Sequence, residues 1–207
     1  MLQPARTWFR TKRQKSCNEP FSGVSGLSGT FRPLRGDEKS AFRDLLLRLD
    51  PESRRNRFAM TVDDSFLVSY AETSFAQSPV IFGYFEDGVL RGTAELRTLP
   101  EPHMAEAAFC VEKGWRRNGV GTRLMDALLN EARDLQIEHI YISCLAANHT
   151  MQALARKFAA RLTYQSGDMI GLIKAPKARM KDWIRNNVAR TLFQPRRLAS
   201  AASGQQS

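Results

Sequence analysis

The chain has 207 residues, of which 43% are hydrophobic and 25% charged, and a net charge of +10. That length suits one domain with tails, the composition is that of a soluble globular protein, and no apolar run reaches membrane-spanning length. Three widely separated cysteines (Cys17, Cys110, Cys144) and three scattered histidines argue against a disulfide framework and a metal centre, and they point to a reducing compartment, the cytoplasm.

The charge is unevenly placed. Residues 1–35 hold seven Lys/Arg against Glu19, and residues 175–207 hold seven against Asp182; residues 36–174 hold 17 basic and 19 acidic side chains. The basic character therefore belongs to the ends, and solvated tails are expected there rather than a nucleic-acid contact.

In chain order, residues 1–28 show no sustained period and read as a flexible basic segment. Thr30 to Leu34 is a short strand, kept at an edge by Pro33. A helix opens at Gly36-Asp37, with Asp37 as its expected cap and Ala41, Phe42, Leu45, Leu46 and Leu49 as its buried stripe. Asp50-Pro51 starts a second helix, a cap residue followed by proline at the first helical position, running to about Phe58. Asp63 to Phe75 is a helix or helical turn. Val80 to Phe85 and Val89 to Arg97 are strands joined at Asp87-Gly88, a strong hairpin signal.

The next stretch carries the chemistry. Ala105 to Val111 is an apolar strand interrupted by Glu106. From Val120, apolar residues recur at three- and four-residue steps through Leu135, one face of an amphipathic helix over 121–137. Between strand and helix lies Arg116-Arg117-Asn118-Gly119-Val120-Gly121-Thr122. Two glycines let backbone approach a ligand closely, and the helix start aims free N–H groups and a positive dipole end at the same space. Arg116, Arg117 and Arg123 add full charges. This is a pattern for binding phosphate or pyrophosphate. It is neither the dinucleotide fingerprint nor a nucleoside-triphosphate loop, since a third glycine and a Gly-Lys-Ser/Thr ending are both missing.

His139 to Leu145 is a further strand, Asn148 to Ala160 a helix, and Leu162 to Tyr164 with Met169 to Ile173 a closing hairpin. An early antiparallel sheet that then crosses over through a helix is a mixed α/β sheet, mostly antiparallel and flanked by helices. After Lys174, Met180, Trp183, Ile184, Val188 and Leu192 fall on one face of a basic helix that precedes a polar tail.

Arg116-x-x-Gly119-x-Gly121 between strand and helix resembles the coenzyme A pyrophosphate loop of the GNAT N-acetyltransferase superfamily, and the element order over residues 29–174 resembles the GNAT fold. Ala105 to Val111, Trp115-Arg116 and Asn148-x-x-Met151 are similar to the bacterial protein-lysine acetyltransferase branch and its small-amine relatives. The resemblance implies acetyl transfer from acetyl-CoA, without a metal, to a primary amine on a protein lysine or small molecule, and it leaves a homodimer open. It implies that backbone groups of Cys110 and Val111 pair with the pantetheine arm and that the amides of Asn118 to Thr122 wrap the pyrophosphate. Val111 N–H would also face the thioester oxygen, and Asn148 would meet the pantetheine.

Glu106 matches the catalytic glutamate of the histone-type branch and is the candidate base; an outward strand residue or an arginine's partner is the alternative, and Glu95 is the competitor. Many relatives carry a tyrosine seven residues after the asparagine as general acid. Here that position is Ala155, so the thiolate leaves unassisted or uses water, Tyr141, Ser143 or His149. Cys144 reads as packing rather than as an acyl-carrying nucleophile. A second reading is a GNAT-shaped module that binds coenzyme A as a regulatory ligand and contacts protein or nucleic acid through its basic ends.

Overall fold

The computed structural model describes residues 27–77 and 80–175; the expected basic segment before residue 27 and the basic helix after residue 175 lie outside them. Strand β1 (Thr30–Pro33) is followed by helices α1 (Lys39–Arg48), α2 (Pro51–Phe58) and α3 (Asp64–Gln77). Strands β2 (Val80–Glu86), β3 (Val89–Thr98) and β4 (Met104–Val111) come next, then α4 (Val120–Asp134), β5 (His139–Leu145), α5 (His149–Lys157), β6 (Arg161–Gln165) and β7 (Asp168–Lys174). The seven strands form one sheet in the order β1-β2-β3-β4-β5-β7-β6. All neighbours pair antiparallel except β4 and β5, which are parallel because α4 carries the chain back across the sheet. The mixed α/β architecture expected from the pattern is the one observed, with Pro33 on an edge strand.

Two apolar cores sit on opposite faces. On one, Leu124, Met125, Leu128 and Ala132 of α4 pack against Ala94, Leu96, Ala105, Ala107, Ile140 and Ile142. On the other, Phe42, Leu45 and Leu46 of α1 and Leu67 and Ala71 of α3 meet Ile81, Leu90 and Cys110. Because strand side chains alternate, each central strand serves both cores.

The helix starts differ in part from expectation. Asp50 caps α2, its carboxylate accepting from Ser53 N at 3.0 Å with Pro51 in the first turn. Asp37 does not cap α1. It lies in a 3-10 turn (Gly36–Glu38), and the carboxylate used there is Glu38, which accepts from Arg35 N at 2.8 Å and from Arg32. The 63–75 segment is a full helix, begun by the Asp63 side chain accepting from Phe66 N, so three helices rather than two precede β2. Helix α2 ends at a left-handed Ala59, φ +58°, and α5, capped by Phe158, is followed by a left-handed Ala159, φ +59°. No glycine marks them, and α5 stops short of the expected Ala160.

Candidate active site

The site begins where β4 and β5 part. Their parallel pairing runs Met104–His139, Ala105–Ile140, Glu106–Tyr141 and stops there, although both strands continue. The ladder fixes which backbone groups of β4 face the gap. Met104 O accepts from Leu99 N, and Glu112 N donates to Arg91 O, so even-numbered residues present their peptide groups to β3. Those of Phe109 and Val111 therefore turn towards the side that β5 has left. Cys110, paired with Thr93, turns its peptide groups to β3.

Beyond β4 the chain makes a 3-10 turn (Lys113–Trp115). Glu112 anchors it through ion pairs with Arg48 at 2.6 Å and Arg91 at 3.0 Å. Arg116 then folds back: its Nε donates to Val111 O at 2.9 Å and its other end to Ser53 Oγ on α2. This guanidinium fixes the loop to β4 and α2. Arg117 at φ +66° and Gly119 at φ +86° reverse the backbone, and Gly119 caps α4. A left-handed residue at that point is what glycine supplies cheaply. Arg123 N makes the first helical bond, to Gly119 O at 3.1 Å. Among the described residues, the amides of Asn118, Gly119, Val120, Gly121 and Thr122 have no hydrogen-bond acceptor. They are the orphan donors of a helix start, opened further by the loop's two left-handed residues.

Two features of this end have no local signal in the sequence. Lys157, in the last turn of α5, reaches Thr122 Oγ1 at 3.3 Å and so brings a cation from 35 residues away to the first turn of α4. Arg123 lies over the Phe31 ring, 4.7 Å from its centroid. Asn148 begins α5 as its cap, accepting from Met151 N at 3.1 Å, and its Nδ2 donates to Asn56 O at 3.5 Å. With α2 packed on both β4 and β5, this bond and Arg116–Ser53 tie α2 across the parted strands.

On the α2 side of the sheet, three side chains stand in a row on neighbouring strands: Arg97 of β3 opposite Glu106 of β4, and Glu106 beside Tyr141 of β5. Glu106 and Tyr141 are half-buried. One rung along, Glu95 is completely buried. It is ion-paired with Arg57, hydrogen-bonded by Tyr70 Oη at 3.0 Å, and 3.7 Å from Arg97. Burial works against the charge on Arg57, and Glu95 together with Tyr70 and Cys110 outweighs it, so the guanidinium's pKa is raised. Burial also pushes the Tyr70 hydroxyl up to about 12. Cys110 and Cys144 are both buried, and desolvation raises each thiol. A thiol held protonated is a poor nucleophile, in keeping with the packing role expected of Cys144.

The acetyltransferase (GNAT) family model matches residues 42–160, more than half of the chain. The chain belongs to the GNAT acetyltransferase family. Solved structures share its fold at low identity. The GNAT domain of the Streptomyces lividans PAT protein is 17% identical, with a TM-score of 0.61 over 70% of this chain and 90% of that one. A phosphinothricin acetyltransferase from Sinorhizobium meliloti, in complex with acetyl-CoA, is 14% identical, with 0.58 over 72% and 89%. The PaiA N-acetyltransferase of Thermoplasma acidophilum, in complex with coenzyme A, is 15% identical, with 0.56 over 72% and 99%. No curated protein matches the sequence.

In this GNAT domain every residue expected at the cofactor, from Cys110 and Val111 through Arg116 to Thr122 and on to Asn148, lies at the end of the sheet where β4 and β5 diverge. Glu106 lies at the fork itself. Ala155, where many relatives have a tyrosine, is fully buried in the α4-side core. His149 is exposed at the start of α5, and Ser143 is exposed on β5.

Proposed function

We propose that this protein transfers the acetyl group of acetyl-CoA to a primary amine, on a protein lysine or a small molecule, within a unit spanning residues 29–174. One observation carries the reading: two central strands part, and the loop that follows β4 leaves five amides without an acceptor among the described residues. Those amides suit a diphosphate, which needs many donors and little else. The backbone groups of Phe109 and the N–H of Val111, whose carbonyl is taken by Arg116, suit an amide-bearing arm laid down as an extra strand. Arg117, Lys157 and the start of α4 supply positive potential, while Arg116 acts by holding the loop. Asn148, at the mouth of α5, is within the same opening.

Bound acetyl-CoA supplies an acyl group already activated as a thioester. The chain's residues do the rest. Glu106 takes the proton from the attacking ammonium, which at neutral pH must be lost before nitrogen can bond to carbon. Its competitor Glu95 is spent on Arg57, Tyr70 and Arg97, a geometry that favours Glu106. Val111 N–H faces the gap and donates to the carbonyl oxygen as charge develops there. As the carbon–sulfur bond breaks, the thiolate is protonated from the hydroxyl of Tyr141. Register favours Tyr141 over Ser143 and His149, because it shares the last rung with Glu106.

A module that binds coenzyme A without catalysis is the second reading, favoured by Ala155, which offers no proton. Free thiol release on mixing with acetyl-CoA and an amine panel separates the two. Release is expected. Coenzyme A binding without release would select the module, and absence of binding would overturn both.

A further inference from the structure

On the acceptor side of the sheet, positive charge outnumbers its partners. Arg57, whose side chain is 8% exposed, and Arg97, at 26%, share the single carboxylate of Glu95. The Nε atoms of both are buried with no hydrogen-bond partner among the described residues. Arg97 also donates to Ser74 Oγ at 3.0 Å and lies over the Tyr70 ring, 4.9 Å from its centroid. Glu106 stands opposite Arg97, yet no ion pair joins them among the described residues. A guanidinium short of partners is costly when buried, as Arg57 is, and the half-buried Arg97 that shares its carboxylate can offer its outer donors to an anion.

The acidic residues that could have drawn a cationic acceptor are engaged elsewhere. Asp64 pairs with Arg54, Glu72 with Lys39, and Asp63 caps α3. What remains at the fork is a cation, a carboxylate and a phenol in a row. Neighbouring side chains in such a row start about 5 Å apart. That spacing matches a molecule whose amine and carboxylate are separated by one or two carbons.

From this juxtaposition, and resting on the acyl-transfer reading above, we infer that the acceptor is a small amino acid. Its amine lies at Glu106, and its carboxylate is received by Arg97 with Arg57 behind it. The planar fork of a guanidinium binds a carboxylate through two donors at once. In the transfer the amine nitrogen bonds to the acetyl carbon, its proton passes to Glu106, and the thiolate leaves. The carboxylate takes no part beyond holding the acceptor in line.

The test uses the full chain, acetyl-CoA and matched acceptor trios: L-methionine or L-phenylalanine, the primary amide of each, and the decarboxylated amine of each. The amino acids should surpass their amides and amines in kcat/KM by about 10- to 100-fold, the margin expected when a charged hydrogen-bonding partner is missing. Arg97→Gln should raise KM for the amino acids by a similar factor while coenzyme A affinity is retained, and Arg97→Lys should recover only part of the loss. Equal or better turnover of the carboxylate-free acceptors, or an unchanged KM in Arg97→Gln, would overturn the inference and leave acyl transfer standing. Absence of thiol release with all of these acceptors and with lysine-bearing protein would overturn both.

Discussion

The two faces of the sheet solve different problems. Under α4 the packing is mostly hydrocarbon: Leu124, Met125, Leu128 and Ala132 against alanines and isoleucines of the strands, with the Tyr84 hydroxyl on Glu86 as a polar exception. Under α2 and α3 the same sheet buries Glu95, with Arg57 and Arg97 beside it. The end proposed for the cofactor is assembled largely from backbone groups, which any sequence with glycines in the right places supplies. The face proposed for the acceptor is assembled from side chains, which have to be chosen. A fold that keeps one cofactor and varies its acceptor would be divided in this way.

Breaking the charged face should cost more than trimming the apolar one. Glu95→Leu leaves Arg57 buried without its counter-ion and should destabilise by ~3–5 kcal/mol, whereas the double replacement Arg57→Met with Glu95→Leu should recover most of that. Leu128→Ala on the other face should cost ~2–4 kcal/mol by opening a cavity that no second change restores. Urea unfolding of the three variants measures the contrast. If the double variant were as unstable as Glu95→Leu alone, the stranded charge on Arg57 would not be the source of the cost.

The division also sharpens in activity. Glu106→Gln should lower kcat by roughly 10²–10⁴-fold, the range for a positioned base, with little change in coenzyme A affinity, since no cofactor contact is removed. A loss of less than threefold would transfer the role to water. Gly121→Glu should separate affinity from stability. A carboxylate in the first turn of α4 favours the helix dipole by a few tenths of a kcal/mol. The same charge opposes a diphosphate, so coenzyme A should bind about 10- to 100-fold more weakly in calorimetry while Tm holds or rises. Gly121 is the cleaner position for this test than Gly119. A Cβ there meets only Leu154, at 3.5 Å, whereas Gly119 has φ +86° and any side chain would strain it.

What could be read from the sequence follows the same division. The strand, loop and helix around Gly119 and Gly121 were legible because their signals are local: they follow one another without interruption from Met104 to Asp134. Glu106 was legible as a single charge in an apolar strand. The Arg57–Glu95–Arg97 group was not, because nothing in Pro51–Phe58 distinguishes Arg57 from Arg54 or Arg55, and its partner lies 38 positions away. Lys157 was hidden for the same reason. The resemblance named Cys110 among the backbone contacts; which residues of β4 face the gap is decided by ladder parity, which needs the paired strand. Asp37 and Glu38 are both acidic at a helix start, and only the intervening 3-10 turn selects Glu38.

The smallest effect tests the link between the faces. Asp50 caps α2, and Ser53, the residue that donates that cap bond, accepts from Arg116 of the 116–122 loop through its Oγ. Asp50→Ala removes the cap and should cost ~1 kcal/mol. Its carboxyl titrates below the usual carboxylate range, chiefly because Ser53 donates to it. A group whose pKa is lowered by folding adds stability above its unfolded value, near ~3.9 for aspartate, and loses it as pH falls through the folded value. The Tm gap between the natural chain and Asp50→Ala should therefore be constant from pH 7 to about 5 and close below about 4. If Ser53 transmits the cap to the loop, coenzyme A affinity in Asp50→Ala should fall slightly, by about twofold to fivefold. An affinity untouched by the loss of the cap would mean that Arg116 is held by Val111 O alone, and that α2 serves the acceptor without steadying the cofactor.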